Sequence, residues 1–208
     1  MDSAITMGTT TVNTMASTMA NTMEEALSLP VTIRRARRDD LPELEWFGLH
    51  TPHREIIATA FRTQERGQGA LLVAEVNGFP AGQLCIDFQR KRTLKRGTLW
   101  ALRVFAPFRK LGLGTRLVLA GEAAVLDYGY AEAELGVDRD NAGVLGFYDR
   151  LGYEACGTER GRYSYRTPDG DVVHVAIDQW ILRKVLRRET AWRPAAPSSW
   201  AATPPPGR

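Results

Sequence analysis

Between residues 30 and 188 the spacing of apolar positions switches repeatedly between every second residue and every third or fourth, the rhythms of strands and helices. VTIRRA, Val31 to Ala36, has the strand rhythm, and Asp39-Asp40-Leu41-Pro42 then supplies an aspartate cap and a first-turn proline for a helix through ELEWFGL. Thr51-Pro52 opens a second helix in the same way, with Ile56, Ile57, Ala60 and Phe61 on one face and an end by Gly67. ALLVAEV and AGQLCIDF flank Asn77-Gly78, a strong signal for a tight hairpin. TLWALRV predicts a fourth strand and AEAELGV, Ala131 to Val137, a fifth. The helix between them, Leu113 to Tyr128, turns Leu113, Leu117, Ala120, Ala124 and Tyr128 inward and forms a right-handed crossover. Asn141 to Leu151 predicts a short helix that Asn141 is placed to cap and Gly152 stops. Two last strands meet in a long hairpin with Thr167-Pro168-Asp169-Gly170 at its tip. The order β-α-α-β-β-β-α-β-α-β-β implies one α/β domain of mixed α+β type, with helices on both faces of a mixed sheet of about seven strands.

The ends differ from this body. Residues 1–29 hold all five methionines, repeat Thr-Met through TMASTMANTM and lack a core pattern, so a disordered low-complexity segment is expected, with Met23 an alternative translation start. No basic region followed by an apolar core marks a secretory signal. Residues 189–208 are proline-rich, and a flexible tail carrying Trp192 and Trp200 is expected there.

Composition narrows the function classes. No apolar run approaches the roughly eighteen residues that span a bilayer, and a net charge of +3 is too small to suggest a nucleic-acid binder. Positive charge is local: Arg90, Lys91, Arg92, Lys95 and Arg96 crowd one predicted loop, which is either a solvated turn or an attractor for a polyanion. Two cysteines, Cys85 and Cys156, are too few for a disulfide framework or a metal cluster, and a cytoplasmic protein without a metal is expected.

Leu99 to Gly114, LWALRVFAPFRKLGLG, carries the strongest chemical signal. A strand passes through a short loop into a helix start, where about four backbone N–H groups lack intrahelical partners and the helix dipole adds positive charge. Phosphate is stabilised at such a terminus. Gly112 and Gly114 let the backbone approach a ligand closely, and Arg109 and Lys110 add charge. Two better-known phosphate loops fit worse: Leu117 stands where a dinucleotide fingerprint needs a third small residue, and no Gly-Lys-Ser/Thr follows Gly114.

RKLGLG after the fourth strand and NAGVLGFYDRLGYE after the fifth together resemble the GNAT superfamily of acyl-CoA-dependent N-acetyltransferases, over roughly Val31 to Leu186. The family's Arg/Gln-x-x-Gly-x-Gly loop falls on Arg109, Gly112 and Gly114, and its second helical motif on Asn141, Tyr148, Gly152 and Tyr153. The resemblance implies a mostly antiparallel, twisted sheet whose strands four and five splay apart. Acetyl-CoA as co-substrate would insert its pantetheine arm there, bonding backbone at Leu102, Arg103 and Val104, with Asn141 also in reach. Its diphosphate would cap the helix at Lys110, Leu111, Gly112, Leu113, Gly114 and Thr115. Tyr148 would donate to, or protonate, the departing sulfur; its bland alternative is a packed core tyrosine. Small bacterial-type acetyltransferases are the nearest pattern, including those that modify a ribosomal protein's amino terminus.

Family members often place a glutamate base where Thr98 or Gly136 stands here. Glu134, Asp138 and Asp87 are the nearby carboxylates, each read as a solvated surface group, so the base stays open. The amine would enter between the first helical pair (Trp46, Phe47, His50, His53) and the last hairpin (Arg160, Arg162, Tyr163, Tyr165). An acetyltransferase acting on a small-molecule amine, a protein amino terminus or a lysine is the first expectation, as monomer or homodimer and without nucleic acid or membrane. A non-catalytic acyl-CoA-binding or regulatory module is the alternative.

Overall fold

The computed structural model describes residues 29–187. The tails expected at 1–29 and 189–208, with Met23, Trp192 and Trp200, lie outside the described residues apart from Leu29. Seven strands, β1 (Val31–Arg35), β2 (Gly69–Val76), β3 (Phe79–Lys91), β4 (Arg96–Val104), β5 (Glu132–Asp138), β6 (Glu154–Arg166) and β7 (Val172–Val185), form one sheet in the order β1-β2-β3-β4-β5-β7-β6. Only β4 and β5 pair in parallel; the other neighbours are antiparallel. Helices α1 (Asp40–Glu43) and α2 (Arg54–Glu65) cover one face; α3 (Leu113–Asp127) and α4 (Leu145–Arg150) belong to the other.

β2 shows why the sheet is a middle layer. Ala70, Leu72, Ala74 and Val76 enter the core shared with α3, while Leu71 and Val73 enter the one shared with α2. Both faces are covered, so the strand is apolar at nearly every position rather than at every second one. At Asn77 and Gly78, φ values of 47° and 85° make the two-residue turn that their identities demand. Val125 of α3 packs directly on the backbone of β4 at Gly97, where an added Cβ would overlap its side chain.

Several elements depart from the sequence pattern. The helix expected through ELEWFGL stops at Glu43, and Trp46, Phe47 and Gly48 take φ of 45°, 59° and 95°. Tertiary bonds override helix propensity there: the buried Trp46 indole donates to Pro80 O at 2.7 Å, and Glu45 accepts from Thr51 and Arg54. Asp39 makes no side-chain cap; Asp40 instead accepts the Arg37 N–H at 2.6 Å and the Arg34 guanidinium. Tyr128 is the residue after α3 and is 40% exposed, stacked on Phe88 at 4.1 Å instead of facing inward. The basic loop is a strand turn whose charges are partly paired: Arg90 meets Glu159 at 2.6 Å, Lys91 meets Glu134 at 3.4 Å, and Arg96 bridges Glu132 and Glu134.

Candidate active site

β4 and β5 pair from Arg96↔Glu132 to Leu99↔Leu135 and then separate. Past that point Trp100 to Val104 keeps β3 as its neighbour and Gly136 to Asp138 keeps β7, which leaves a gap between the two strands. β4 also carries one extra residue between Trp100 and Arg103, at Ala101 with φ 50°. Beyond this bulge Leu102 and Val104 pack on the α3 side, whereas Trp100, Ala101 and Phe105 pack on the α2 side.

The loop after β4 ends at the start of α3. Lys110 (φ 64°) and Gly112 (φ 79°) are left-handed, and both Lys110 and Gly112 are exposed. A Cβ on Gly112 would meet nothing within 4 Å, so glycine answers backbone conformation at this place rather than protein crowding. None of the backbone N–H groups from Lys110 to Thr115 donates to a protein acceptor among the described residues; the first helical bond is Arg116 N–H to Gly112 O at 3.1 Å. A row of N–H donors without protein partners, exposed at Lys110, Leu111 and Gly112, fits a diphosphate at a helix N-terminus. Leu111 is 60% exposed and Leu113 buried, anchoring the helix in the core. A Cβ on Gly114 would stand 3.6 Å from the Phe147 ring and 4.0 Å from Leu102 Cδ2, so the loop, the open stretch of β4 and α4 meet there.

Arg109 turns back along this loop. Its Nε donates to Val104 O at 3.1 Å, occupying one of the carbonyls expected for pantetheine. Asn141 is not a cap: it lies in a 3-10 stretch, Arg139–Val144, with φ −105° and ψ 37°, and α4 starts only at Leu145. Its side chain is exposed and hydrogen-bonds nothing among the described residues.

Tyr148 on α4 is 8% exposed, beside Phe147 (4.9 Å between centroids) and Tyr153 (5.8 Å). Burial pushes its phenol up to about 12. It is a core tyrosine by packing, yet its hydroxyl makes no hydrogen bond among the described residues.

The three candidate carboxylates separate cleanly. Glu134, expected at the surface, is 4% exposed and held by Arg96 and Lys91. Asp87 accepts the N–H groups of Gln89 and Arg90 at 2.6 and 2.9 Å, opposite Thr98 at the paired end of β4. Asp138 alone is exposed at the open end of β5, where Gln179 Nε2 donates to it at 2.7 Å. Gln179 was not legible beforehand; its Oε1 lies 2.2 Å from where a Gly136 Cβ would be, filling the space the glycine leaves. The glycine two residues before Asp138 was the available signal.

On the α2 face, Trp46 packs on His50 (5.1 Å), His50 on His53 (6.0 Å) and His53 on Tyr165 (5.1 Å), joining the first helical pair to the last hairpin. Burial and the nearby Arg103 charge push His50 down to about 4 and lower His53 as well. Arg160 and Arg162 do not join this wall. By strand alternation they lie on the face opposite Tyr163 and Tyr165, and Arg160 pairs with Asp178 at 3.4 Å.

Comparison with known proteins sets this geometry in a family. The profile described as "Acetyltransferase (GNAT) family" matches residues 33–153, from β1 to the residue before β6. The chain belongs to the GNAT acetyltransferase family. N-alpha-acetyltransferase 50 of Danio rerio is 24% identical over 124 residues, 57% of this chain and 67% of that protein. The probable N-acetyltransferase san of Drosophila melanogaster is 28% identical over 125 residues, 60% of this chain and 63% of that protein. The chain thus spans about two thirds of the length of these relatives. A putative acetyltransferase of Salmonella typhimurium, solved with its cofactor acetyl-CoA, has the same fold, with a TM-score of 0.59, 17% identity and coverage of 82% of this chain and 99% of its own. As a GNAT member the protein is an N-acetyltransferase that takes its acetyl group from acetyl-CoA. No helix among the described residues is long and apolar enough to cross a membrane.

Proposed function

We propose that the protein acetylates a primary amine, of a small molecule or at the amino terminus or a lysine of a polypeptide, by direct attack on the thioester. The observation that carries the reading is the row of unbonded N–H groups from Lys110 to Thr115 beside the gap between β4 and β5. When bound, acetyl-CoA supplies an acetyl group already activated as a thioester. In this reading the N–H row takes the diphosphate, and backbone at Leu102, Arg103 and Val104 aligns the pantetheine as an added strand would. Arg109 then leaves Val104 O and turns toward the phosphates. Asn141 lines the same groove.

Tyr148 donates a hydrogen bond to the sulfur as charge gathers there. Burial raises this phenol to about 12, which favours a hydrogen bond to the sulfur over full proton transfer. The proton on the attacking nitrogen leaves toward Asp138, directly or through water; Glu134 is held by its ion pair and Asp87 by its turn. A cytoplasmic location is supported by two free cysteines among the described residues, and a bacterial-type enzyme, monomeric or homodimeric, acting without nucleic acid, completes the reading.

Incubation with acetyl-CoA and a panel of amines tests it. Release of free thiol that depends on an amine is the expected result. Binding of acetyl-CoA without amine-dependent release would instead mark an acyl-CoA-binding regulatory module.

A further inference from the structure

If β4 alternated without interruption from Leu99, Arg103 would point toward α3. The extra residue at Ala101 reverses the phase and sends Arg103 to the α2 face, among His50, His53, Tyr163 and Tyr165. Its guanidinium is largely withdrawn from water and makes no ion pair or hydrogen bond with the described residues. Arg34 and Arg96, by contrast, are each held by two carboxylates. Withdrawing a cation from water without a partner is costly, and such a group is stabilised by an anion that arrives later.

A second observation lies beside it. His53 Nδ1 is sealed from solvent and has no hydrogen-bond partner among the described residues. Burial and the Arg103 charge lower both imidazoles and so favour their neutral forms, and the wall around Arg103 offers polar atoms with little further charge. Tyr163 feels the charges of both Arg103 and Asp138, the latter being the carboxylate that Gln179 holds at the open end of β5. The acceptor side of the site is therefore cationic at one end and anionic at the other.

We propose that Arg103 receives a carboxylate carried by the acceptor itself, so that the favoured substrates are amino-carboxylates, with the amine directed to Asp138. This rests on the acetyl-transfer reading and narrows its acceptor class. Two sources carry such a carboxylate: a free amino acid, or an acidic side chain close to a peptide's amino terminus.

Equilibrium titration onto the full chain saturated with CoA, which has no acetyl group to give, measures acceptor binding apart from chemistry. The probes are phenylalanine against phenylalaninamide, and C-amidated Met-Glu-Ala-Ala against Met-Gln-Ala-Ala. In at least one pair the carboxylate member is expected to bind about tenfold or more tightly, the scale of a charge-assisted bond. A preference in the first pair identifies the free amino acid, and one in the second the acidic peptide. Arg103→Gln abolishes the preference and Arg103→Lys keeps part of it, both at a thermal midpoint near that of the unaltered protein. If Arg103→Gln does not fold, retention of the preference in Arg103→Lys decides. Equal affinities within both pairs, no binding of any probe, or a preference that survives in Arg103→Gln overturns the assignment. Carboxylate-dependent binding without thiol release from acetyl-CoA counts against acetyl transfer and not against Arg103.

Discussion

Tyr148 shows how one side chain serves packing and chemistry together. Its ring fills the core beside Phe147 and Tyr153, while its hydroxyl makes no hydrogen bond among the described residues. Tyr148→Phe keeps the ring, so steady-state kinetics are expected to show kcat lowered about tenfold or more with the acetyl-CoA affinity little changed. An unaltered kcat would remove the hydroxyl from the reaction. His50 gives a prediction of stability instead. Its folded pKa, pushed down to about 4 from 6.5, means that the unfolded chain binds the extra proton between those values. The stability this residue contributes is complete above pH 6.5 and is lost as pH falls toward 4. Thermal midpoints compared at pH 6.5 and about 4 should therefore fall less in His50→Gln than in the unaltered protein; an equal fall would contradict the neutral His50.

At the scale of elements, α3 is the part on which binding depends, and the backbone and side-chain contributions at its start separate experimentally. Gly112→Asp meets no clash but sets an L side chain at φ 79°, a strain of about 1–2 kcal/mol that a carboxylate at a helix N-terminus offsets only in part, so the thermal midpoint should fall by several degrees with the fold retained. The same carboxylate opposes a diphosphate. Titration with acetyl-CoA should thus show Gly112→Asp weakened about tenfold or more, and Lys110→Ala weakened less, because several fixed N–H donors outweigh one exposed flexible cation. A larger loss in Lys110→Ala would reverse the weight given to backbone and side chain. Gly97 makes a purely structural contrast: Gly97→Ala pushes a methyl into Val125, and urea unfolding should show a loss of about 1–3 kcal/mol. The elements whose signals are local were the legible ones. Asn77-Gly78 carries its turn in two residues, and the α3 stripe its face. ELEWFGL failed as a helix because Trp46 is drawn to Pro80 O and Glu45 to Arg54, contacts distant in sequence.

For the whole molecule, the sheet's two covered faces divide the work. The α3 face carries the N–H row and Tyr148, and the α2 face carries the histidines, Tyr165 and Arg103. The order of elements and the two motifs were enough to see the family, and residues 33–153 bear it out. The facing of Arg103 was not legible, because it depends on a bulge at Ala101 that leaves no mark in composition. Period-two alternation in β6 does set Arg160 and Arg162 opposite Tyr163 and Tyr165, and only the contact of Tyr165 with His53 shows which pair meets the acceptor wall. The central claim is that the free amides from Lys110 to Thr115 take the diphosphate of acetyl-CoA. Proton–nitrogen correlation spectra recorded during titration with acetyl-CoA test it most directly. These amides, with those of Leu102 to Val104, should move most and saturate together; spectra in which they stay in place while the coenzyme binds elsewhere would rule this binding mode out.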